Sequence, residues 1–130
     1  MSDRPVLYSS MLANGLKVAV HDVSRHYYGG YWQIALEVSC LVPLETGQFS
    51  DPALESDARR LLGAAVPFVR RLEKMAVHGD EQDAVRQELL ERFDRHLLPF
   101  LGHERFPARF IQTEYQQRCT KNSRGIPCFV

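Results

Sequence analysis

Residues 16–42 read LKVAVHDVSRHYYGGYWQIALEVSCLV, and the parity of the apolar positions in this stretch decides the fold. From Trp32 onward, Trp32, Ile34, Leu36, Val38, Cys40 and Val42 point to one face of a strand, and Gln33, Ala35, Glu37, Ser39 and Leu41 to the other. The first set reads as core, Trp32 included, and the second as half wet. The preceding strand sends Leu16, Val18 and Val20 inward and Lys17, Ala19 and His21 outward. Together they predict a β-hairpin with Tyr27, Tyr28, Tyr31 and Trp32 near its tip. A two-residue Gly29-Gly30 turn pairs Tyr28 with Tyr31 and, continued without interruption, sets Val20 against Ser39, so that one apolar set is exposed. An odd loop of Tyr28, Gly29 and Gly30 with a glycine bulge restores the match, placing Val20 opposite Val38, Val18 opposite Cys40 and His21 opposite Glu37.

Upstream, residues 6–12 read as an edge strand, and Asn14-Gly15 is a turn dipeptide whose tight form would give a poor register. Downstream, residues 43–52 form a connector. A helix then starts at Pro52 or Ala53 and ends near Gly63, with Ala58, Leu61, Leu62 and Ala65 at helical spacing. Over residues 64–78 a helical stripe through Val69, Leu72 and Ala76 competes with a strand. Pro67 costs about 3 kcal/mol inside a helix, and Gly63 weakens the same stretch. A lone hairpin also needs a third strand for stability. The expectation is therefore a strand over residues 66–77.

Asp80 is placed to cap a helix with the stripe Val85, Leu89, Phe93 and His96 or Leu97, supported by Glu88–Arg92 and Glu91–Arg95 pairs and ending before Pro99. A second, short helix opens at Phe106-Pro107 and buries Phe110, Ile111 and Tyr115. Residues 119–130 read as a C-terminal tail. The expected architecture is one α+β domain over residues 1–130: an antiparallel sheet of three to four strands with two to three helices packed on one face.

Composition narrows the function classes. Sixteen basic and sixteen acidic residues balance, so no global field draws the chain to nucleic acid or anionic lipid. Apolar runs fall far short of the roughly 20 residues of a bilayer span, and the N-terminus lacks the apolar core of a signal peptide. Three cysteines, an odd number without paired spacing, suit a reducing, cytoplasmic setting. Thirteen of the basic residues are Arg, a usage that a GC-rich bacterial genome would produce.

Candidate chemistry is sparse. His21, Asp22, Ser24 and His26 supply a base, an orienter and a nucleophile by type, but His21 and Asp22 point to opposite faces of a strand and no nucleophile elbow surrounds Ser24. A small hydrolase is the last alternative. His96, His103, Cys119 and Cys128 lack the close spacing of a structural zinc site, and a Cys119–Cys128 disulfide has no motive in the cytosol. Gly29-Gly30 is not a phosphate loop. No cofactor or metal is expected. Arg25, the tip aromatics, Arg70 and Arg71 could stack single-stranded bases, although charge balance argues against nucleic acid. Tyr and Arg also anchor protein interfaces, and Arg25, Tyr27, Tyr28 and Tyr31 sit together at the tip. The leading expectation is a non-catalytic interaction or accessory domain, with a homodimer or another protein as partner and no membrane contact.

The element order and the stretches Asn14-Gly15-Leu16, Asp22-x-Ser24-Arg25, Leu98-Pro99-Phe100-Leu101 and Phe106-Pro107 resemble small bacterial proteins of uncharacterised function. That resemblance spans most of the chain, implies no activity or site residues, and favours the strand reading over residues 66–77.

Overall fold

The computed structural model describes residues 5–123, with side chains described through residue 120. The strands are β1 (Val6–Met11), β2 (Lys17–Asp22), β3 (Arg25–Tyr28), β4 (Tyr31–Pro43) and β5 (Ala65–His78). The helices are α1 (Pro52–Leu62), α2 (Gln82–Arg92), α3 (Leu98–Gly102) and α4 (Phe106–Ser123), and a π-helical turn, Phe93–Leu97, joins α2 to α3 as one rod. The fold is α+β: an antiparallel five-stranded sheet with three helical rods. Its contacts divide into two compact units, one made of the described residues up to Leu41 with Pro67–His103, the other of Val42–Val66 with the described residues from Glu104 onward.

In the first unit, β2 meets β4 with Val18 opposite Cys40, Val20 opposite Val38 and His21 opposite Glu37. That is the register the apolar parity demands, but the device that achieves it differs from the expected odd loop. The turn is the two-residue one, with Tyr28 opposite Tyr31, and the surplus residue is Tyr27, bulged between the His26–Trp32 and Tyr28–Tyr31 pairs. Gly29 supplies the positive φ, 56°, that the turn requires. The three-residue loop occurs instead in the first hairpin. There Leu12 N–H donates to Leu16 O, and Ala13, Asn14 and Gly15 form the loop, with Gly15 at φ 89°.

β5 forms despite Pro67, which sits exposed near its start on a strand that pairs with β4. Val66, Phe68 and, partly, Leu72 are buried at even positions, but the next buried side chain is the odd Val77. Ala76 lies between them with φ 55°, a left-handed conformation that reverses the parity. This reversal is why simple alternation reads only fairly over the stretch.

The rod departs from expectation at both ends. Asp80 does not cap α2: its carboxylate pairs with His78, and Gly79–Glu81 forms a 3-10 turn before the helix. Nor does the helix stop before Pro99. Buried Val85, Leu89, Phe93, Leu97 and Leu101 recur every four residues, with His96 exposed. In a helix of 3.6 residues per turn each such step drifts by about 40°. The π turn, in which Leu98 N–H donates to Phe93 O, takes up the drift and widens the backbone where the Pro99 ring would otherwise meet a carbonyl. Glu88 reaches Lys74 on β5 at 3.9 Å rather than Arg92.

Three contacts fasten the rod along the β1–β2 hairpin. Arg86 Nε lies 2.8 Å from Asp22 Oδ2. The Phe93 ring meets Tyr8 edge-on at 5.4 Å. At the far end Asn14 Nδ2 donates to the carbonyls of Leu101 (2.7 Å) and His103 (3.0 Å), while its Oδ1 accepts from Leu16 N–H (3.2 Å). One turn residue thus satisfies carbonyls left open at the end of α3.

The second unit holds α1, capped by Asp51 accepting from Ala53 N–H at 2.9 Å and stopped at Gly63, which takes φ 85°. α4 is longer than the short helix expected: residues 119–123 continue it, and only residues 124–130 of the expected tail lie outside the described residues. Phe106 and Ile111 are buried, and Phe110 and Tyr115 partly so.

Asn14→Ala removes the partner of two helix-end carbonyls and lowers stability by about 1–3 kcal/mol in chemical denaturation; a change within about 0.5 kcal/mol would show that water replaces it at no cost. Ala76→Gly relieves the left-handed alanine and raises stability by up to about 1 kcal/mol, whereas Ala76→Val lowers it.

Candidate functional site

The hairpin tip gathers exposed aromatic side chains on a backbone fixed from several directions. Tyr28 and Tyr31 are cross-strand neighbours, Tyr27 is the bulge residue, and the three are 76%, 46% and 54% exposed respectively. Behind them His26 Nε2 donates to Gly29 O, and its ring meets Trp32 edge-on at 5.3 Å. Trp32 keeps the inward parity but is only half-buried, a correction to its reading as core. The β5–α2 connection holds the turn from its other side: Gly79 N–H donates to Gly30 O at 3.1 Å, and the Tyr31 ring stands edge-on to His78 at 5.9 Å. The His78 imidazole beside Asp80 holds that carboxyl below its usual range.

Arg25 is less free than the sequence implies. Its Nε donates to Gln33 Oε1 at 2.8 Å, and Gln33 Nε2 donates to Glu73 Oε2. A polar ladder therefore crosses β3, β4 and β5 on the face expected to be half wet. Gln33 in its middle is only 6% exposed, and Ala35 beside it is fully buried. The Arg25–Gln33 rung follows from the register that parity demands, since the two residues are directly opposed. Glu73, His78 and Gly79 carried no readable signal, because their places depend on the β5 pairing and on the irregularity at Ala76.

Three of the four catalytic candidates are occupied elsewhere, and His21 lies opposite Glu37 in the β2–β4 register. Asp22 Oδ1 accepts from Ser24 N–H at 3.0 Å, and its Oδ2 faces Arg86. Ser24 Oγ accepts from Ala35 N–H at 3.0 Å and donates to Ala35 O at 3.4 Å. With His26 tied to Gly29, these side chains form no base–nucleophile relay. Of the metal candidates, His96 is exposed on the π turn, His103 follows α3, Cys119 lies on α4 and Cys128 falls outside the described residues. Among the described residues no three His, Cys, Asp or Glu side chains gather at metal-binding spacing. Burial pushes the Cys40 thiol above its usual range.

The second unit carries a titratable cluster of its own. Tyr115 Oη donates to Asp57 Oδ2 at 2.7 Å, Arg60 pairs with the same carboxylate, and the Phe49 ring stands edge-on to Tyr115 at 5.5 Å. The Tyr115 hydroxyl, and then Arg60, hold the Asp57 carboxyl below its usual range, and the Asp57 bond in turn raises the tyrosine. Arg118 Nη1 donates to Leu61 O at 3.0 Å, so the cluster fastens α1 to α4.

A carboxyl whose folded pKa is depressed contributes stability above its unfolded value, about 3.9, and loses it as pH falls through the folded value. Tyr115→Phe is therefore expected to raise the Asp57 pKa in a carboxyl NMR titration. It lowers stability at pH 7, and its Asp57-linked difference from wild type closes as pH falls through the depressed folded pKa of that carboxyl. An unmoved Asp57 titration would remove the assigned cause.

No family model matches the chain, and no curated protein or solved structure was found to match it.

Proposed function

We propose that this protein is a non-catalytic association domain, that the hairpin tip is its contact surface, and that its first partner is a second copy of itself. The observation that carries this reading is the outward display of Tyr27, Tyr28 and Tyr31 on a pinned turn. Tyrosine offers a large apolar face with a polar end and few rotatable bonds, which is why it recurs among interface anchors. A turn already held by Gly79, His26 and the Arg25–Gln33–Glu73 ladder gives up little freedom on binding, so more of the contact energy survives as affinity. The sheet edge at β5 favours this choice. β5 pairs β4 and carries Pro67, Arg70, Arg71 and Lys74, residues that oppose strand-to-strand association. A two-fold arrangement, which lets one patch serve both copies, is the commonest closed assembly.

A cytoplasmic location belongs to the same proposal and rests on the odd cysteine count and the buried Cys40 thiol. Among the described residues no helix is long and apolar enough to cross a membrane.

Sedimentation or light scattering across a concentration series tests the tip. Wild type is expected to self-associate, and the Tyr27→Ala, Tyr28→Ala pair to weaken association by about 100-fold, as the loss of two anchors implies. A wild-type mass that stays monomeric, or a variant that associates as wild type does, would overturn the reading.

A further inference from the structure

Among the described residues a groove on each of two sides borders the α2–α3 rod, and the two differ in charge. The one beside β1, about 400 Å³, mixes Glu91 and Asp94 with Arg95. The other, about 420 Å³, is lined by Arg70 and Leu72 of β5 and by Arg92, His96, Leu97 and Phe100 of the rod. Among the described residues no carboxylate lines it. Two guanidinium groups and an imidazole thus share a cleft whose remaining lining is Leu72, Leu97 and Phe100.

Their positions follow from the backbone. Arg92, His96 and Phe100 recur every four residues, one position before the buried Phe93, Leu97 and Leu101. The π turn that keeps the buried row on the core also keeps this row in line along the groove, and such turns recur at binding sites. Among the described residues the side chains of Arg92 and His96 enter no ion pair or hydrogen bond, and the Arg70 guanidinium lies 5.6 Å from the centre of the Phe68 ring. Glu88, the acid spaced to neutralise Arg92, is turned towards Lys74. Like charges held in a cleft without a counter-charge favour an anion there.

We propose that this groove binds a small amphipathic carboxylate. Its headgroup would lie between Arg70 and Arg92, whose planar forks suit a carboxylate, and its apolar body on Leu72, Leu97 and Phe100. The volume is in the range of small-ligand sites. This site is separate from the aromatic tip and does not depend on the tip's role.

The test is calorimetric and NMR titration of the full chain with decanoate, alongside decan-1-ol and decyltrimethylammonium as neutral and cationic counterparts. Decanoate is expected to bind with a sub-millimolar Kd and to shift the amides of Leu72, Leu97 and Phe100, with the alcohol at least tenfold weaker and the cation not bound. Arg70→Gln and Arg92→Gln should each weaken decanoate by about tenfold, the loss of one charge-assisted contact, and leave the alcohol unchanged. Phe100→Ala should weaken both. Amide spectra superposing on wild type away from the substituted positions establish that the variants fold. Equal affinity for decanoate and decanol, binding that survives the double Arg70→Gln, Arg92→Gln variant, absence of binding below a millimolar, or shifts confined to the tip or the other groove would each overturn the proposal.

Discussion

The opposition of Val18 to Cys40 and of Val20 to Val38 is the constraint on which the other features of the first unit depend. A one-residue slip would turn a whole apolar set to solvent, at roughly 1.5–3 kcal/mol for each valine or leucine exposed. The same register runs on through Val23 N–H to Ala35 O, Arg25 opposite Gln33 and His26 opposite Trp32, so β2 and β3 act as one bent strand along a single edge of β4. A Gly-Gly turn closes on an even count, and the inherited register requires an odd one. One residue must be surplus, and it is Tyr27. The bulge that exposes this ring is thus a direct result of core parity meeting turn chemistry.

The rod answers to a second constraint, that one helix remain in contact along the β1–β2 hairpin from Asp22 to Asn14. Its buried positions are spaced by four throughout, which a straight α-helix cannot keep on one side. The π turn reconciles spacing with contact, and it sits beside Tyr8, where the Phe93 ring is engaged. Pro99 then marks the widened turn and not the end of the helix.

The strand pattern, the main register and the limits of α1 are legible because they rest on parity and on local backbone chemistry: Val18 and Val20, Pro52, and Gly63 each state their role within a few residues, whereas the Asp51 cap emerges only from the structure. The strand at β5 was legible for the same kind of reason, Pro67 being tolerable at an exposed edge position and not inside a helix. Legibility stopped where two elements had to meet. Glu73 and Arg70 take their places from a β5 register that the left-handed Ala76 interrupts, so neither the ladder nor the cationic groove could be assembled from spacing. The path through Pro99 was hidden because the proline rule assumes an α-helical ring of hydrogen bonds. The tip tyrosines are readable as a cluster, but the sequence alone leaves Arg25 unengaged because the burial of Gln33 depends on both of its neighbours.

Gln33 shows why the tip can persist as a fixed surface. At 6% exposure a charged side chain at this position would lose most of its hydration, a penalty its neighbours would have to offset in full. A neutral amide avoids that cost and still spans the gap, since its oxygen faces the Arg25 guanidinium and its NH2 the Glu73 carboxylate. The opposite charges remain towards the solvent-facing strands, where water can share them. β3 has four residues, all exposed, and little apolar burial of its own to hold it against β4. The amide ladder gives that short strand a side-chain attachment reaching through β4 to β5, while Gly79 fixes the turn beyond it. Held at both ends, the bulge keeps one geometry, and the three tyrosines stand out from a frame that the chain's own contacts order.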